Sequence, residues 1–294
     1  MRFRDFLLLV AVCLTWGFSN VVSKIVVGQW HVPPLYFAAI RFALVGLATL
    51  PWLWPMPRPA WRLLSVAILM GAGNFALLFI GLQTASPSMA AVVIQAGVPI
   101  TTLLSIVILG ERIRWRRGVG IGLTLAGVLL VVWRPGFAVS HGLLFVLGAA
   151  AAGSLGAIMM KQMTSIEPLR FQAWVGVTAI IPLGLASLLF ESGQWATSVA
   201  AGWPFVAAVL FSALIVSVCA HTAYYWLIAR YEANLLAPLT LMTPLATIAL
   251  GVLITGDRLD ARMIVGAGLA LLGVLVIALR PSRAPIAETQ EHGA

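Results

Sequence analysis

The sequence predicts an all-α polytopic membrane protein whose ten transmembrane helices form two inverted five-helix repeats. Three observations predict it. Hydrophobic residues make up 61% of the 294 positions and charged residues only 9%, at a mean hydropathy of +1.03, whereas a soluble domain carries about 25% charged residues. Apolar stretches near the ~20 residues that cross a ~30 Å hydrocarbon core recur along the whole chain. The end of the first half also reappears in the second half after a shift of 146 residues.

Cutting at charges, Pro/Gly clusters and polar runs gives the spans 6–27, 34–53, 63–83, 89–109, 118–133, 142–160, 171–190, 204–228, 235–254 and 263–279. The first comes after the charged start Met1–Asp5, and no small-residue cleavage site comes after it, so it reads as a retained helix rather than a signal peptide. The second opens at Pro33-Pro34 and the third begins after Arg62. The fourth stops at Gly110-Glu111-Arg112, and the fifth runs from Arg117 to the Arg134-Pro135 boundary. Lys161 and Arg170 bracket the loop between the sixth and seventh, and Glu191 ends the seventh. Arg230 closes the eighth, Gly256-Asp257-Arg258 the ninth, and Arg280-Pro281 the tenth. Barrel strands are set aside, because the runs are too long and lack the alternation of a barrel wall.

Lysine and arginine orient these spans. With the N-terminus on side one, 13 of the 18 cationic residues fall on that side, 3 on the other, and Lys24 and Arg41 lie within spans. Positive loops stay cytoplasmic, so both termini are expected inside. Ten of the eleven tryptophans lie near span ends, as an interfacial aromatic belt requires, and Trp16, midway along span one, is the exception. The net charge of +9 is therefore a topology signal and implies no nucleic-acid partner. Cys13 and Cys219 both sit in apolar segments, so no disulfide framework is implied.

Residues 110–135 align with 256–281 at 13 of 26 positions, with Gly-Glu-Arg against Gly-Asp-Arg at one end and Arg-Pro at the other. A unit of five spans forces the second copy to enter the membrane upside down, an arrangement common in secondary transporters. Together with Trp16-Gly17-x-x-Asn20, Lys24, Pro33-Pro34, Arg41-Phe42, Ala237-Pro238-Leu239 and Thr243-Pro244-Leu245, this repeat resembles the EamA domain of the drug/metabolite transporter superfamily. The resemblance covers residues 5–135 and 142–281 and leaves 282–294 as a disordered tail. It is nearest to bacterial amino-acid and metabolite exporters. It therefore implies a multi-pass carrier of the bacterial inner membrane, moving a small-molecule substrate by alternating access. Quaternary ammonium and nucleotide-sugar carriers of the same superfamily are the alternatives.

All nine acidic residues fall outside the spans or at their ends, so no intramembrane carboxylate is available as a proton or sodium relay. His221, whose unperturbed pKa is ~6.5, is the one histidine well inside a span; it suits either a proton switch or a neutral interhelical hydrogen bond. Arg41 suits either a substrate carboxylate or a structural pin on span two. Pro99 and Pro244 interrupt equivalent spans, and paired interruptions point to a midplane site. Near that depth lie Trp16, Ser19, Asn20, Asn74, Gln95, Ser154, His221 and Tyr225, which with the two prolines form the expected substrate site. Ser217, His221 and Tyr225 share a helical face, which ranks Tyr225 above Tyr224. This uncharged, aromatic set suits small amphipathic solutes such as zwitterionic amino acids. Gly118 and Gly122, with Gly266, Gly268 and Gly273, permit close helix approach, either within the molecule or at a homodimer seam.

No cofactor or metal is expected, and no enzyme. Paired intramembrane aspartates, a phosphate-cradling Gly-rich loop and His/Cys clusters of ligand spacing are all missing from the sequence. Ser154 and His221 are the only loose serine-protease pair.

Overall fold

A computed structural model describes residues 1–110, 115–133, 140–163, 166–228, 230–231, 236 and 239–279, without the side chains of Lys161, Tyr225 and Ile228. The tail 282–294 lies outside the described residues, and so do Glu111, Pro135 and the Ala237-Pro238 pair.

The regular elements described are all helices: α1 Phe3–Gln29, α2 Pro34–Ala48, α3 Ala60–Thr84, α4 Pro87–Leu109, α5 Trp115–Val132, α6 His141–Lys161, α7 Pro168–Phe190, α8 Gln194–Ala201, α9 Trp203–Tyr224 with its helical continuation to Ile228, α10 Met242–Thr255 and α11 Ala261–Ala278. Eight are long and apolar enough to cross a membrane. Short α8 lies between α7 and α9. Val107, Leu188 and Leu253 are each more than three-quarters exposed, as lipid-facing side chains should be.

The two remaining apolar helices, α2 and α10, are shorter than their expected spans. Span two was expected to reach residue 53, but α2 stops at Ala48 and a 3₁₀ turn comes next at Leu50–Trp52. Pro51 has no N–H to continue the ladder and disfavours helical backbone before it. Thr49 Oγ1 then donates to the Val45 carbonyl at 2.6 Å. Span nine becomes continuous α-helix only at Met242, after a turn at Thr240–Leu241.

That turn has a counterpart in α4, where a 3₁₀ step at Ile94–Ala96 separates two α-helical pieces. Residues 94–96 shifted by 146 are 240–242, so both helices break at one repeat position. The prolines expected to interrupt these spans do so from a different position than mid-helix. Pro99 and Pro244 each lie in the first turn of the second piece, where the missing N–H leaves no bond unmade. Gly110 and Gly256, again 146 apart, end α4 and α10 at φ +67° and +68°, a left-handed cap that glycine adopts without strain.

The halves pack about a pseudo-two-fold axis. Like meets like where α2 crosses α7 and α5 crosses α11, while α1 packs on α9 and α10 as α6 packs on α3 and α4. The axis passes between α5 and α11. Thr124 Oγ1 lies 3.4 Å from the Ala270 carbonyl, its partner 146 residues on. A Cβ on Gly127 would fall 2.4 Å from the Gly266 carbonyl, and one on Gly120 2.8 Å from that of Gly273, so these four glycines set the helix separation. The close approach is therefore intramolecular, and its register differs from the expected one: Gly118, Gly122 and Gly268 face open space.

Candidate functional site

Where the broken helices meet the other half lies a cavity of about 680 Å³. Trp16 of α1, Tyr224 of α9 and Thr240, Leu241, Thr243 and Pro244 at the start of α10 form one wall. Asn74 of α3, Ile94, Gln95, Gly97, Val98, Thr101 and Thr102 of α4 and Ala150, Gly153 and Ser154 of α6 form the other. It reaches Arg117 at the start of α5 and Ala278 at the end of α11, so it extends to the side on which α1 begins.

Trp16 is held between two rings, tilted at 5.1 Å from His221 and edge-on at 4.9 Å from Tyr224. Gly17 lets α1 approach this closely, because a Cβ there would meet Ala246 Cβ at 2.9 Å. Among the described residues the Trp16 indole N–H has no hydrogen-bond partner, nor has Thr243 Oγ1. Gln95 lines the cavity without a hydrogen bond among the described residues. Other polar groups are committed to helix pairing. Asn74 Nδ2 donates to the Ala149 carbonyl at 2.7 Å and Ser154 Oγ to the Gly97 carbonyl at 2.9 Å, while Thr102 bonds within its own helix. The walls are thus mainly apolar with a few convergent polar groups, the usual make-up of a small-molecule site.

Of the residues expected from sequence, the structure brings Trp16, Asn74, Gln95, Ser154 and Pro244 together on this cavity. The others are placed around it. Ser19 is buried in α1, where its carbonyl accepts from Ser23 at 2.8 Å, and Asn20 Nδ2 donates to Thr247 Oγ1 at 3.2 Å. Pro99 is buried in α4. His221 sits behind Trp16, its Nδ1 bonded to the Val216 carbonyl at 2.7 Å. There it lines a second, small cavity of about 50 Å³. The side chain of Tyr225 lies outside those described. Tyr224, which the helical-face argument ranked below Tyr225, lines the wall. The π-helical stretch Phe211–Ala220 lies just before, and its i→i+5 bonding changes the phase between Ser217 and His221. Sequence reasoning also missed Thr101, Thr240, Thr243 and Arg117 on the lining. The Thr243-Pro244 pair was a usable signal, since a residue beside a helix break has its side chain free.

The opposite end is closed. Lys24 Nζ donates to the Gln83 carbonyl at 3.1 Å, tying α1 to α3. Asp257, after α10, accepts the Ser88 N–H at 2.9 Å and the Thr255 hydroxyl at 2.9 Å, capping the first turn of α4. Glu191 does the same for α2, accepting the N–H groups of Leu35 and Tyr36 at 2.7 and 2.9 Å. Both carboxylates come from the second half and cap helices of the first. Arg41 lies away from the large cavity, fully buried on Ser217 and Phe75.

Comparison with known proteins places this architecture. The model of the EamA-like transporter family matches residues 4–133 and 140–279, nearly the whole chain. A "Probable amino-acid metabolite efflux pump" of Salmonella typhimurium is 27% identical over 94% of this chain and 95% of its own length. A protein of the same description in Escherichia coli is also 27% identical. The Escherichia coli "Uncharacterized inner membrane transporter YedA" is 26% identical over 95% of this chain and 93% of its own. A known crystal structure, 20% identical and covering 94% of this chain and 96% of its own, superposes at a TM-score of 0.63 and shares the fold.

Proposed function

The chain belongs to the EamA-like transporter family, and on that premise we propose that it exports small amphipathic metabolites, amino acids foremost, by alternating access. The halves that rock are residues 5–135 and 142–281. The carrying observation is the cavity at their junction, whose side chains are uncharged and partly aromatic except for Arg117 near one end. Trp16, Thr243 and Gln95 offer uncommitted polar atoms there to a ligand's polar groups, and the apolar remainder suits an aliphatic or aromatic side chain. The names of the Salmonella and Escherichia relatives support the same substrate class. Nucleotide sugars would call for clustered cations and quaternary ammonium ions for a carboxylate or a full aromatic cage; the described lining has neither.

The 13-to-3 distribution of cationic residues favours both termini in the cytoplasm of a bacterial cell, with the protein in the inner membrane. The cavity then opens inward, ready to load from the cytoplasm, while Lys24, Ser88 and Asp257 close the outer side. Release outward requires those contacts to part and the inner end to close. The test is a flux panel in liposomes holding the purified protein. Saturable, ATP-independent movement of neutral amino acids is expected. An inert amino-acid panel alongside transported nucleotide sugars or quaternary ammonium compounds would refute the substrate class, and linear, non-saturating flux would refute the carrier.

A further inference from the structure

Arg41 brings a full positive charge into the packed core at 1% exposure. Its Nε and Nη2 donate to Ser217 Oγ at 3.2 and 2.9 Å, and the guanidinium lies 4.3 Å from the Phe75 ring centroid. Neither neighbour is anionic. Among the described residues Nη1 has no hydrogen-bond partner and no carboxylate pairs with this arginine. A buried charge with no counter-charge is strongly unfavourable.

Beside it is the cavity of about 50 Å³. Three of its lining residues, Phe42, Phe75 and Ser217, are also Arg41's own contacts. Across the space stands Gln172 of α7, 5% exposed and without a hydrogen bond among the described residues. Ser217 gives its own proton to the Ser212 carbonyl at 3.1 Å and its lone pairs to Arg41, so it has nothing left for a cation. The Gln172 amide on the lining, with the Arg41 guanidinium behind the Ser217 and Phe75 side and His221 as the other polar side chain, favours a weakly hydrated monovalent anion. Water occupies ~30 Å³ in the liquid, so there is room for one ion near that size and none for gluconate, while the double charge of sulfate is costly to strip of water here.

We propose that this cavity binds a single halide, chloride under cellular conditions, as the resident counter-ion of Arg41. The ion ties together α2, which carries Arg41, α7, which carries Gln172, and α9, which carries Ser217 and His221. It is separate from the substrate cavity, and its test is independent of which solute is carried.

The experiment replaces sodium chloride with sodium gluconate at constant ionic strength and monitors thermal unfolding of the purified full-length protein in detergent. The wild-type midpoint should rise saturably by ~2–4 °C with chloride or bromide, and not with sulfate. Gln172→Leu keeps the volume and loses the amide, and should lose most of that increment while staying folded in gluconate. Arg41→Met should lose it entirely. Crystals grown in bromide should show an anomalous peak beside Gln172. A flat wild-type response, an undiminished increment in Gln172→Leu, or a cavity containing only water would each overturn the proposal. Should Arg41→Met fail to fold, the wild-type titration and Gln172→Leu still decide.

Discussion

Trp16→Phe separates a ligand-facing residue from a packing residue. Phenylalanine keeps a ring between His221 and Tyr224, now at 5.1 and 4.9 Å from the indole, and removes only the indole N–H and part of the volume. That N–H has no partner among the described residues, so its loss breaks no bond among them. If it donates to the substrate, the variant loses one neutral hydrogen bond, ~0.5–1.5 kcal/mol net. At ~1.4 kcal/mol per factor of ten, apparent affinity should fall about 2- to 10-fold. Competition transport in liposomes reads the affinity, and the detergent melting midpoint reads the packing. The expected result is weaker affinity at an almost unchanged midpoint. A lower midpoint with unchanged apparent affinity would refute the ligand-facing role and make Trp16 a spacer between α1 and α9.

The remaining expectations concern the closed end, energetics and topology. A Cβ on Gly251 would stand 2.6 Å from both Ser88 Oγ and Asp257 Oδ2, so Gly251→Ala should force the outer contact apart, as should Asp257→Asn by weakening the cap. Either should raise outside labelling of Gln95→Cys by an impermeant maleimide, with Cys13 and Cys219 replaced by serine; unchanged labelling argues against a gate there. His221 bonds Val216 and stays off the large cavity, so His221→Gln should retain flux, and an imposed pH gradient should alter wild-type flux little. Proton-driven accumulation that disappears in His221→Gln would make the protein a proton-coupled antiporter. Tags at Met1 and Ala294 should both report cytoplasmic, and one at Gln194 exterior; a cytoplasmic Gln194 breaks the predicted topology.

Most helices were legible because lipid imposes a length and a composition that sequence cannot disguise. What stayed hidden was backbone detail that hydropathy does not register. Pro51 shortens α2, yet residues 49–53 carry no charge to mark an end of the span. The π-helical stretches Ile68–Gly73 in α3 and Phe211–Ala220 in α9 occupy corresponding positions of the two halves, since 68–73 shifted by 146 falls at 214–219. No residue type announces them, and the second changes the phase between Ser217 and His221, which a regular α-helix would have put on one face. The glycine seam was half legible. Gly266 and Gly273 were named, but Gly118 and Gly122 do not meet α11, whereas Gly120 and Gly127, seven apart, do.

The division between committed and uncommitted polar groups bears on how binding could drive the cycle. Asn74 and Ser154 spend their hydrogen bonds on neighbouring backbone and so fix the shape of the α3–α4–α6 wall. Trp16 and Thr243, with free polar atoms, sit on α1 and α10, which the Asn20–Thr247 bond and the close Gly17–Ala246 approach hold together. Gln95 faces them from α4. A solute that bridges this gap is sensitive to the distance between the two walls. Alternating access changes that distance, so such a solute binds one arrangement of the two walls, each built from both halves, better than the other. A ligand shifts a conformational equilibrium only through that difference in affinity, and a rigid pocket built within one half would supply none.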